Sequence, residues 1–295
     1  MDDLKHLGWD AFFDAQLTDE ERKHATIARI VEPLRGLSRA IYAGGEIWAE
    51  HTEKSASGAK TREAVPSTGD WVVGTLRDSG DTEKRMRITR VLARKNKISR
   101  AAPGGKNYEQ ILCTNVDTAF VVVALSQNLN LAGVGRYIEI LNESHVSAVI
   151  LVTKIDEVST SDVIQSLTQL AAGVPVHPIS VKEHQGLEVL APYFSNHATV
   201  VLLGASGAGK STLTNYLLGS EAQRVGDVRE SDQKGRHTTT GRRLSLLPKG
   251  GMIIDSPGMR EIQKWEEREP EVAVKKKFSK NKPARKYRHG HDDDE

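Results

Sequence analysis

Residues 198–214 read Ala198-Thr199-Val200-Val201-Leu202-Leu203-Gly204-Ala205-Ser206-Gly207-Ala208-Gly209-Lys210-Ser211-Thr212-Leu213-Thr214. A β-branched run feeds a glycine-rich turn, and Leu213, Tyr216, Leu217 and Leu218 follow at helical spacing. This is the G-x-x-x-x-G-K-[ST] phosphate-loop pattern in strand–loop–helix context. Glycines at 204, 207 and 209 let the backbone wrap a polyphosphate with its N–H groups inward, and Ala205, Ser206, Ala208 and Thr212 complete the cradle. Lys210 supplies a positive charge between the outer phosphates and Ser211 a hydroxyl for Mg²⁺. The helix N-terminus adds its partial positive charge. The pattern predicts a nucleoside triphosphate site rather than a plain glycine turn.

The chain around this stretch alternates strand and helix. Strands are expected at 116–125, 147–153, 175–180, 199–203, 243–247 and 252–255, and helices at 131–144, 161–171, 187–193 and 212–218. Continuous apolar strands in this alternation predict a parallel sheet covered by helices on both faces.

The choice of base comes from Thr153-Lys154-Ile155-Asp156, which closes a buried strand and resembles the N/T-K-x-D guanine motif. A carboxylate here accepts from guanine N1–H and the 2-amino group together, whereas adenine would oppose it with an acceptor. Lys154 would lie along the base. Ser180-Val181-Lys182 is a second base-contact candidate. On the other side of the loop, Asp255-Ser256-Pro257-Gly258 follows a strand as D-x-x-G does. Asp255 would hold Mg²⁺ through water, and the Gly258 N–H would sense the γ-phosphate. Thr238, Thr239 and Thr240 offer hydroxyls for Mg²⁺, with Thr239 the candidate, on a loop of the kind that switches with the γ-phosphate. Met259 stands where many GTPases place a glutamine, so His237 becomes the candidate for positioning water; a plain surface histidine is the alternative.

Ordinary GTPases run phosphate loop, switches, then base motifs. Here the base motifs at 153–156 and 180–182 precede the loop, and the switches end the domain. That order predicts a circularly permuted P-loop GTPase domain over 101–265.

Upstream, residues 25–100 carry five short β-rich runs separated by turns, with Gly44-Gly45 as a hairpin, which fits a small OB-type β-barrel. The acid-free run Lys84–Arg100 holds eight Lys and Arg residues and predicts RNA binding by that barrel; a solvated basic face is the alternative. Residues 1–24 form an amphipathic arm through Leu7, Trp9, Phe12, Phe13 and Leu17, either docked or free for a partner. Ala101–Tyr108 reads as a linker. Residues 266–295 are a basic then acidic tail, expected to be disordered.

Whole-chain composition narrows the class. Net charge is only +2 and apolar content 38%, so the polyanion affinity lies in local runs on an otherwise ordinary soluble chain. No apolar run reaches the ~20 residues of a membrane span. The single cysteine, Cys113, excludes an intrachain disulfide, and a cytoplasmic monomer is expected.

The permuted order, the preceding barrel, Glu109-Gln110-Ile111-Leu112, Asn115-Val116-Asp117 and the opening Leu7-Gly8-Trp9-Asp10-Ala11-Phe12-Phe13 together resemble the ribosome small-subunit-dependent GTPase A family (RsgA, also called YjeQ or YloQ). The resemblance implies an OB barrel, a permuted GTPase domain binding GTP or GDP with Mg²⁺, and late maturation of the small (30S) ribosomal subunit. The subunit and its rRNA would be the partners, and subunit-stimulated hydrolysis would release the factor. Members carry a C-terminal zinc domain with three cysteines and a histidine. No cysteine follows Cys113, and His289 and His291 alone do not make a four-ligand site, so zinc is not expected here. The other class open to the sequence is a GTP-gated RNA-binding protein with little or no hydrolysis.

Overall fold

A computed structural model describes residues 2–51, 65–78, 84–101, 109–125, 130–156, 161–219 and 242–255. His237, Thr239, Gly258 and the 266–295 tail lie outside the described residues.

The N-terminal arm is a 3₁₀ turn (Asp2–Leu7) and two short helices, α1 (Ala11–Asp14) and α2 (Asp19–His24). Asp10 caps α1 by accepting from the Phe12 N–H, and Thr18 with Glu21 forms a capping box on α2. The apolar side chains Leu4, Leu7, Trp9, Phe13 and Leu17 pack against Ile27, Trp71, Val73 and Leu92 of the barrel.

Strands β1 (Thr26–Pro33), β2 (Leu37–Tyr42), β3 (Gly45–Glu50), β4 (Trp71–Asp78) and β5 (Lys84–Val91) form a closed barrel in the order β1-β2-β3-β5-β4. The β3–β5 pair is parallel and every other pair antiparallel, the connectivity of an OB barrel. Alternation explains the burial: on β5, Met86 and Ile88 point inward while Arg85, Arg87 and Thr89 are exposed. Two further strands, β6 (Lys97–Ala101) and β7 (Glu109–Thr114), form an antiparallel ribbon. Ala101, expected to open a linker, is instead the last residue of β6, and residues 102–108 lie outside the described residues. The basic run is divided, since the barrel strands end at Val91 and Lys97–Arg100 belong to the ribbon.

The second half holds β8 (Thr118–Ala124), α3 (Leu131–Glu143), β9 (Ser147–Thr153), α4 (Ser161–Leu170), β10 (Val176–Pro178), a 3₁₀ segment (Leu187–His197), β11 (Thr199–Leu203), α5 (Lys210–Leu218), β12 (Arg243–Leu246) and β13 (Met252–Asp255). The sheet order is β10-β9-β8-β11-β13-β12. All pairs are parallel except β12–β13, so the expected parallel sheet carries one antiparallel edge. One face packs Val121, Val123 and Val201 with Leu141 of α3 and Leu167 of α4. The other packs Phe120, Val122 and Val200 with Leu190 and Phe194 of the 3₁₀ segment and Leu213 of α5. Burial on both faces is why β8 and β11 are apolar after their opening threonines, Thr118 and Thr199.

Candidate functional site

Because β9, β10, β8, β11 and β13 are parallel, their C-terminal ends share one edge of the sheet. Thr153 ends β9, Ser180 follows β10, Gly204 follows β11 and Asp255 ends β13. Segments scattered over a hundred residues of chain thus arrive at one rim.

The loop after β11 needs its glycines. Gly204 has φ of +134°, and a Cβ there would lie 2.2 Å from the Val122 carbonyl oxygen. Gly207, at φ of +80°, has open space around it. Gly209 is the residue preceding α5, and no side chain caps that helix, so its first-turn N–H groups are available to an anion. The helix begins at Lys210, two residues before the expected Thr212, which places Ser211 and Thr212 on its exposed first turn. Lys210 Nζ donates to the carbonyls of Gly204 (2.8 Å) and Ala205 (2.6 Å). Burial lowers the Lys210 pKa, and the Asp255 carboxylate opposes that shift. Ala205, Ser206 and Gly207 form the exposed crest, while Ala208 is buried.

The base motif meets this loop through Thr153. The buried Thr153 hydroxyl donates to the Ala208 carbonyl at 2.8 Å. Lys154 follows at φ of +62°, a left-handed turn off the strand end. Ile155 is partly buried against the core. Asp156 Oδ1 accepts from the Ser180 hydroxyl at 2.7 Å, and Ser180 also accepts from the Glu183 N–H at 3.1 Å. Val181 packs on the second core face, and Lys182 Nζ lies 3.9 Å from Asp156 Oδ2. The Ser180 hydrogen bond, foremost, holds the Asp156 carboxyl below its usual range, aided by backbone hydrogen bonding and by Lys182 and Lys154. Asp156 is therefore ionised near neutrality and acts only as an acceptor. The His184 and Tyr216 rings lie 5.6 Å apart, joining the Ser180 loop to α5; Tyr216 read only as part of the helical spacing, and His184 carried no signal in the sequence.

The donor set at the rim suits a hydrated divalent cation beside phosphates: a hydroxyl on Ser211 and a carboxylate on Asp255, both hard oxygen ligands. Among the described residues no group of three His, Cys, Asp or Glu is placed to hold a metal, and no helix is long and apolar enough to cross a membrane.

A family model described as RsgA GTPase matches residues 91–265. The small ribosomal subunit biogenesis GTPase RsgA 2 of Vibrio vulnificus is 38% identical over 263 residues, covering 88% of this chain and 70% of the relative. The corresponding RsgA protein of Opitutus terrae is 36% identical over 282 residues, covering 92% of this chain and 75% of its own. Among solved structures, YjeQ from Thermotoga maritima superposes with a TM-score of 0.56 at 20% identity, over 79% of this chain and 75% of that one. YloQ, titled a circularly permuted GTPase, gives 0.55 at 22% identity, over 84% of this chain and 76% of its own. The two structures share the fold described above.

Proposed function

The chain belongs to the RsgA GTPase family, and from that premise we propose that it is a GTP-hydrolysing factor in biogenesis of the small ribosomal subunit, binding the subunit and its rRNA. One observation carries the reading of the site. Thr153 holds the Ala208 carbonyl at 2.8 Å, so the base motif and the phosphate loop form one structure although the motif comes first in the chain.

In this reading the ionised Asp156 selects a base with two adjacent donors, which guanine offers and adenine does not. Lys154, Ile155, Ser180, Val181 and Lys182 shape the base pocket. The backbone N–H groups of 204–212 take the phosphates, and Lys210 exchanges its two loop carbonyls for phosphate oxygens. Ser211 and Asp255 would hold Mg²⁺ with Thr239, and the ion would neutralise charge developing on the phosphate oxygens. Gly258 would contact the γ-phosphate and His237 would orient water, since the Met259 thioether is a poor partner for it.

The outward pair Arg85 and Arg87, with exposed Lys84 at the start of the strand, supports contact with a polyanion by the barrel. We read the protein as a monomer working in the cytoplasm. The test is steady-state GTP hydrolysis with and without purified small ribosomal subunits. Strong stimulation is expected. Binding of GTP without stimulated hydrolysis would leave a GTP-gated RNA binder, and absence of GTP binding would remove the reading altogether.

A further inference from the structure

Arg29 lies on β1 and is 2% exposed. A buried charge is costly unless each donor finds an acceptor. Here they do. Nε donates to the Gly69 carbonyl (3.3 Å), Nη1 to the Leu7 carbonyl (2.5 Å), and Nη2 to the Asn115 carbonyl (3.1 Å) and the Thr199 hydroxyl (2.9 Å). Nη1 also lies 3.1 Å from the Met252 sulfur, and the guanidinium sits 5.7 Å from the centre of the Trp71 ring. Burial lowers its pKa to about 10, against the charges of Asp117, Asp70 and Asp10, so it stays cationic at neutral pH. These partners belong to the arm, the barrel, the segment entering β8, and the first residues of β11 and β13.

Thr199 and Met252 are register partners in the sheet. Asp117 brackets Thr199 further, accepting its N–H at 2.7 Å and donating to its carbonyl at 2.9 Å. From Thr199, β11 runs into Gly204; from Met252, β13 runs to Asp255. Arg29 therefore grips the starts of the two strands whose far ends carry the phosphate loop and the Mg²⁺ carboxylate. Those ends lie only ~10–13 Å away at the rise of a strand. The strands are buried in a close-packed sheet, which passes a shift along rather than absorbing it.

We propose that Arg29 is a positioning residue for GTP hydrolysis, setting the phosphate loop and Asp255 in mutual register and making that register depend on the barrel and arm. This rests on reading Gly204–Ser211 as the nucleotide site. Arg29 does not reach the rim itself.

Three variants of the full chain test it. Arg29→Met removes the charge and donors at similar length, Arg29→Lys keeps the charge, and Thr199→Val removes only the acceptor on the sheet side. Kinetics with GTP, urea unfolding and hydrogen exchange of amides 200–209 are measured on each. Arg29→Met and Thr199→Val are expected to lower kcat about tenfold with KM within about twofold, since small misplacements cost rate more than binding. Arg29→Lys should recover part of that loss, and exchange at 200–209 should quicken in the other two. Folded variants that keep wild-type kcat while unfolding at lower urea would reduce Arg29 to packing and overturn the proposal. So would a raised KM at unchanged kcat. If the unmutated protein binds no GTP, the phosphate-loop reading fails, and unchanged exchange at 200–209 in Arg29→Met then overturns the Arg29 proposal separately.

Discussion

The Thr153 hydroxyl, at the end of β9, donates across 2.8 Å to the Ala208 carbonyl in the loop after β11. Strand β8 lies between those two strands, and its Val122 carbonyl presses against Gly204 at the root of the same loop. The phosphate loop is thus held from below by one strand and from the side by the strand that carries the base motif. The bond joins two segments that are 55 positions apart in the chain.

Thr153→Val should loosen the loop without emptying the core, since valine matches threonine in shape. Loss of one buried hydrogen bond of about 1 kcal/mol predicts about fivefold weaker binding of GTP and GDP alike. Fluorescent-nucleotide titration reads this directly. Unchanged affinity would mean the bond does not shape the loop.

The two loop glycines separate steric from conformational demands. Gly204→Ala sets a methyl against the Val122 carbonyl at positive φ and should cost about 3 kcal/mol or more. Gly207→Ala meets no atom and carries only left-handed strain, about 1–2 kcal/mol. Urea midpoints of the pair should fall in that order.

Glu21 fastens α2 to the barrel through two 2.7 Å contacts with Arg90. The Arg90 hydrogen bond, foremost, brings its pKa down from 4.5 to about 2. A carboxyl depressed on folding stabilises above its unfolded pKa and loses that contribution as pH falls through the folded one. Glu21→Gln should therefore be modestly less stable than the wild type at pH 7, because the pair is partly exposed. The gap should close between about pH 4.5 and about 2. A gap that persists to the acid limit would assign the effect to packing.

His237→Ala should lower subunit-stimulated turnover about a hundredfold while GTP affinity stays within about twofold, the signature of a group that orients water. Wild-type stimulated turnover in the variant would remove His237 from the reaction.

The sequence made the barrel strands and the rim legible because both depend on local pattern. Alternation on Lys84–Val91 and the unbroken apolar runs at 119–124 and 200–203 are pattern signals that need no partner to be read. The ribbon was not legible. Lys97–Ala101 is a short polar run whose pairing with Glu109–Thr114 is a tertiary choice, so it read as the end of the barrel followed by a linker. The helix expected at 187–193 is a 3₁₀ segment that runs on to His197 through a kink at Ser195 and Asn196, and apolar spacing alone does not tell 3₁₀ from α. Arg29 was hidden most fully. Its acceptors at Leu7, Gly69, Asn115 and Thr199 are 22 to 170 positions away, and an arginine in a strand otherwise reads as a solvent-facing residue.

We propose that Asp156, although it precedes the phosphate loop in the chain, reads the base of the nucleotide bound there. Replacing its carboxylate with an amide offers a donor where guanine presents its 2-amino group and xanthine a carbonyl. The decisive measurement is paired titration of Asp156→Asn with GTP and xanthosine triphosphate. GTP binding is expected to weaken at least about tenfold, the worth of a charge-assisted pair, with xanthosine triphosphate now preferred. Undiminished GTP binding and no gain for xanthosine triphosphate would contradict it.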